Sequence, residues 1–76
     1  MWIRSQNRKE LVNCISYTVR KNIGGKNEAL VGTVDNGFWG RKEIILGMYD
    51  TTEIAIAELT KIQEALIEKV ELYEMN

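Results

Sequence analysis

The sequence holds no histidine, no proline and a single cysteine in 76 residues. Without histidine, Ser-His-Asp and Cys-His catalytic machinery is excluded, as are zinc sites built on imidazole. One cysteine, Cys14, closes no internal disulfide and supplies no four-thiolate metal site. Its neighbours Val12, Ile15 and Tyr17 mark it as a small buried hydrophobe rather than a reactive nucleophile. Long apolar runs are also missing, and none approaches the roughly 20 residues that span a bilayer. Met1 to Glu10 is polar and basic with no apolar stretch behind it. No signal peptide is therefore expected, and with an unpaired cysteine the expected location is the cytoplasm.

What is present fits one small globular domain. Apolar residues make up 45% and charged residues 28%, a balance outside the range of disordered tails. A chain this short buries only about 60% of its unfolded surface, so a second subunit would help it. The net charge of -1 conceals a division. Residues 1–50 carry a net +3 and residues 51–76 a net -4. All glycines fall between Gly24 and Gly47. A basic, turn-rich half thus precedes an acidic half without glycine.

The first half, residues 1–49, reads as β-sheet. Met1 to Ser5 is a short strand, and Gln6 to Glu10 a polar turn. From Leu11 to Lys21 the residues alternate, with Ile15, Tyr17 and Val19 on one face and Ser16, Thr18 and Arg20 on the other. Asn22 to Asn27 reads as a loop, and Glu28 to Val34 as the next strand. Asn36-Gly37 between apolar runs favours a two-residue hairpin turn. Phe38–Gly40 and Glu43–Tyr49 then continue the sheet, with a bulge or break at Arg41 and Lys42. The short connections favour an antiparallel meander.

The second half, residues 50–74, reads as one helix. Asp50 or Thr51 is the N-cap, and Glu53 reaches back as in a capping box. Ile56, Leu59, Ile62, Leu66, Val70 and Tyr73 recur at helical spacing, with Glu58, Lys61 and Glu64 among the residues of the polar face. About 22 helical residues would reach roughly 33 Å. The expected radius of gyration is only about 11 Å, so the last turns should overhang. The expected fold is therefore α+β: an antiparallel meander of four to five strands with a long C-terminal helix packed on one face. One face of such a sheet stays open, so a homodimer or higher oligomer is expected, with Trp2, Val70, Leu72 and Tyr73 at the interface.

Three stretches carry a likeness to known sequences. They are the opening Met1-Trp2-Ile3-Arg4-Ser5-Gln6, the following Leu11-Val12-Asn13, and the junction Leu46-Gly47-Met48-Tyr49-Asp50-Thr51-Thr52-Glu53. Together they resemble a family of short, uncharacterised proteins of Gram-positive bacteria and their phages. The opening six residues are the most specific part. The resemblance implies a phage or mobile-element setting and a cytoplasmic protein. It brings no catalytic or ligand residues. Small phage proteins of this kind often bind a host protein or a host signalling molecule.

Four places could carry function. Phe38-Trp39-Gly40-Arg41-Lys42 sets two aromatics beside two cations, a combination that stacks bases and holds phosphates. The same residues could instead plug the core and guard a sheet edge with charge. Arg20, Lys21 and Lys26 surround the Gly24-Gly25 loop, which could take phosphate or be an ordinary hairpin loop. Glu64, Glu68 and Glu71 could meet a basic partner or form a solvated face. Trp2 could be an exposed hot spot or a cross-strand packing residue. No carboxylate pair sits in an evident cleft, so no enzyme and no cofactor is expected.

The expected function is a non-enzymatic interaction protein of phage or prophage type that binds and modulates a host protein, such as a defence component. An alternative is a binder of a small phosphorylated ligand, for example a nucleotide signal. There the ligand would meet Arg20, Lys21, Arg41 and Lys42, with Trp39 or Tyr49 stacking on the base, in a pocket between subunits. Nucleic-acid binding is a third reading, opposed by the net charge of -1.

Overall fold

The computed structural model describes residues 1–21 and 27–76. The described residues are α+β, with six strands and one α-helix among them in the order β1 (Trp2–Arg4), β2 (Leu11–Asn13), β3 (Ser16–Lys21), β4 (Glu28–Asp35), β5 (Arg41–Tyr49), α1 (Thr52–Ile67) and β6 (Leu72–Glu74). The strands form two three-stranded sheets, β2-β1-β6 and β3-β4-β5, where the sequence suggested one meander. The stretch Leu11–Lys21 is the reason. It breaks at Cys14 and Ile15, and the chain passes there from one sheet to the other. Ile15, expected beside Tyr17 and Val19, is more than half exposed at this crossing.

The second sheet is an antiparallel meander, as alternation and short connections favour. Its register slips between Leu30 and Val31, which face Gly47 and Ile45 and leave Leu46 as the extra residue of a bulge. Arg20 and Glu43 lie on the two outer strands of this sheet. Their two-pronged ion pair (2.7 and 2.8 Å) reaches across β4 between them.

Thr51 caps α1. Its hydroxyl accepts from the Ile54 amide at 3.2 Å. With Thr51 as cap, Glu53 is the second helical residue, one short of the capping-box position, and serves as an acid in the first turn. The helix is 16 residues long and ends at Ile67, well short of residue 74. Its end is a Schellman turn in which the Val70 amide donates to the Ala65 carbonyl and the Lys69 amide to that of Leu66. Lys69 takes the left-handed conformation (φ 60°) that glycine usually fills, so no glycine marks the helix stop. The chain then returns as β6, parallel to β1. The apolar spacing that suggested more helix becomes a period of two. Leu72 and Glu74 point out, while Tyr73 and Met75 turn toward the core.

The core gathers Ile3, Leu30, Leu46, Tyr49, Ala55, Ile62 and Met75 from both sheets and the helix. The helix packs on all three strands of the second sheet. Its buried positions are Ala55, Glu58, Ile62 and Ala65, while Ile56 and Leu66, assigned to the core by periodicity, stay about half exposed. Two alanines permit close approach of helix to sheet, and Glu58 finds partners there that its own helix could not reveal. The molecule measures 32 × 31 × 20 Å, so a 16-residue helix of about 24 Å does not overhang it.

Candidate functional site

The β4–β5 hairpin places the aromatics Phe38 and Trp39. The Asn36-Gly37 step does turn the chain, but through five residues rather than two. The strands pair as far as Asp35 with Arg41, and residues 36–40 form the loop around a short 3-10 turn at Gly37–Trp39. Gly37 (φ 62°) and Gly40 (φ 88°) occupy conformations that side chains disfavour. Four hydrogen bonds close the tip, one of them from the Trp39 amide to the Asn36 carbonyl at 3.3 Å. Asn36 N donates to the Gly40 carbonyl at 2.7 Å, Gly40 N to the Gly37 carbonyl at 3.1 Å, and Gly37 N to the Asp35 carboxylate at 2.9 Å. The loop is thus shaped by its own backbone and not by packing of its aromatics.

Those aromatics face water. Phe38 is 95% exposed and Trp39 82%. The expectation that one of them plugs the core is overturned, because the 3-10 turn carries both beyond the last paired residues. They touch each other edge to face, with centroids 5.6 Å apart and planes at 86°. Arg41 and Lys42 start β5, an outer strand of its sheet, and both are exposed. Neither has an ion-pair partner among the described residues.

The other proposed ligand residues do not join this tip. Arg20 is engaged by Glu43. Lys21 is exposed at the end of β3. Lys26 and the Gly24-Gly25 loop lie outside the described residues. Tyr49 is 8% exposed and belongs to the core, so its ring is closed to a stacking base. Glu64, Glu68 and Glu71 are all exposed, but the helix ends before Glu71 and the three do not share one helical face. Trp2 is half exposed on the outer face of β2-β1-β6, beside Leu72. Tyr73 points the other way, into the molecule, and does not reach that surface.

A second polar cluster lies inside. Glu58, assigned to the solvated face by periodicity, is 4% exposed. Its carboxylate accepts from the Tyr73 hydroxyl at 2.5 Å, the Asn76 amide at 3.3 Å and the Asn76 side chain at 3.4 Å. The Asn76 carbonyl accepts in turn from the Tyr49 hydroxyl at 3.0 Å and Gln6 Nε2 at 2.9 Å. Gln6 also pairs with both backbone groups of Met48, acting as a short extra strand beside β5. Burial pushes the Tyr49 hydroxyl up to about 12, helped by the Glu58 charge. Burial and the Glu58 hydrogen bond raise that of Tyr73 further. Every buried side-chain polar atom described has a partner. The cluster is therefore a closed clip that fastens the last residues to helix and sheets, with no group left free for a ligand.

Burial also raises the thiol of Cys14, whose sulfur lies against Gly32. Among the described residues no group of acids and cysteine is placed to hold a metal, and no helix is long and apolar enough to cross a membrane. No family model, curated protein or solved structure matches the chain.

Proposed function

We infer that the chain is a non-enzymatic binding protein that presents the Phe38–Trp39 tip to a concave apolar socket on a partner protein. The observation that carries this reading is the pair of almost fully exposed aromatics on a loop whose backbone is already fixed. Large aromatics left in water offer unused burial, and a pre-shaped loop loses little freedom on docking. Arg41 and Lys42 beside them favour an acidic rim around that socket. The resemblance of the opening residues favours a host protein as the partner, in a phage or prophage setting in the cytoplasm.

A second reading, a nucleotide or other phosphorylated ligand, draws on the same two unpaired cations. The ring geometry weighs against it. Planes at 86° form a wedge, and such a pair cannot sandwich one flat base.

The test is affinity capture from host extract with wild type and the Phe38→Ser/Trp39→Ser variant, followed by direct binding of the purified partner. The expected result is a partner bound by wild type and lost with the variant. A partner held equally by both overturns the reading. In parallel, a panel of mono-, di- and cyclic nucleotides should leave the melting temperature unchanged. A rise of several degrees transfers the function to the second reading.

A further inference from the structure

Away from the tip, exposed apolar side chains gather on the outer face of β2-β1-β6. The register places Trp2 between Asn13 and Leu72, and Arg4 between Leu11 and Glu74. Leu11, Trp2 and Leu72 are 57%, 49% and 46% exposed, while the opposite faces of their strands turn toward the core through partly buried Val12, buried Ile3 and partly buried Tyr73. Past Trp2 the face continues into a shallow groove of about 480 Å³ lined by Met1, Trp2, Leu66, Lys69, Val70 and Glu71. The groove exists because the Schellman turn at Lys69 folds the chain back from the helix end to β6. Among the described residues, the β1–β2 turn borders this face at one end, where Arg8 pairs with Glu74 at 3.0 Å, and no strand or helix packs over Trp2 and Leu72.

We propose that the outer face of β2-β1-β6 is the interface of a homodimer, with a second copy of this chain as its occupant. Its charges choose between kinds of partner. Arg4, Lys9 and Lys69 stand around the apolar residues together with Glu10 and Glu71, while Glu74 is already paired with Arg8 of the same chain at 3.0 Å, so the face carries charges of both signs. A partner selected by electrostatics would call for a face of one sign. A two-fold interface presents the same patch from both sides, so the cations of one copy can meet the acids of the other. An apolar centre with a charged rim is the usual anatomy of such a contact. The sheet behind it has only three residues per strand, and covering its open face adds burial that a 76-residue chain otherwise lacks. This inference does not rest on the hairpin tip.

Sedimentation equilibrium from micromolar to millimolar concentration tests it. Wild type should reach twice the 8.8 kDa monomer mass. Trp2→Lys/Leu72→Lys should weaken association by about 100-fold or more, since it places charge at the centre of the contact. Leu11→Lys, at a more exposed position on the same face, should weaken it by about 10-fold and serves if the double variant does not fold. Far-UV circular dichroism checks folding of each. Phe38→Ser/Trp39→Ser should leave the mass unchanged. A wild type that stays at 8.8 kDa throughout overturns the proposal. So does a dimer indifferent to Leu11→Lys, or one abolished by the tip variant.

Discussion

Two pairs of aromatic residues serve opposite ends in this chain. Tyr49 and Tyr73 turn inward, and their hydroxyls close a buried seam around Glu58 and Asn76. Phe38 and Trp39 turn outward and touch little besides each other. The inner pair binds distant parts of the sequence together, so its loss should cost stability. The outer pair sits on a loop held by backbone hydrogen bonds, so its loss should cost stability almost nothing. Aromatics that the fold does not need are free to be used for binding.

The contrast can be broken most severely at Glu58. Glu58→Ala strips three hydrogen bonds from groups at a buried site, and urea unfolding should show a loss of about 3 kcal/mol. A loss below 1 kcal/mol would mean that the seam does not hold the fold. Gly32→Ala tests the packing of β4 against Cys14 and Leu46. An added methyl would collide with the Cys14 sulfur and stand 3.0 Å from Leu46, so a loss of about 2 kcal/mol is expected in the same assay.

Alkaline pH probes the inner pair without mutation. The tyrosines have raised values in the folded chain, so their contribution is intact below pH 10, the ordinary value. As pH rises from 10 toward about 12, the unfolded chain loses these protons first. Stability should then fall by up to about 1.4 kcal/mol per pH unit for each tyrosine. Tyr49→Phe should flatten that slope. At neutral pH it removes one hydrogen bond, to the Asn76 carbonyl, and should cost about 1 kcal/mol. The smallest effect belongs to the outer pair. Phe38→Ser/Trp39→Ser should change unfolding free energy by no more than about 0.5 kcal/mol.

The outer pair was more legible in the sequence than the inner one. Asn36-Gly37 announces a turn by local chemistry, and the aromatics follow it directly. The loop's length was not legible, because it depends on Gly40 also adopting a positive φ. The start of the helix was legible in Thr51, a side chain that caps its own neighbours. Its end was not, because Lys69 takes a conformation for which lysine gives no signal. Beyond it, Leu72 to Met75 fit helical and strand periods equally well, and only pairing with β1 decides between them. Helical period alone puts Glu58 in solvent for a related reason. Its partners are Tyr73 and Asn76, on a segment the sequence suggested was more helix. The α+β class follows from local pattern, whereas the division into two sheets follows from contacts between the ends of the chain.

The most direct measurement is the affinity of the purified partner for wild type and for Phe38→Ser/Trp39→Ser, with unfolding free energies taken on the same samples. The result expected is equal stability with binding lost in the variant. Equal binding by two equally stable proteins would contradict a binding role for the tip.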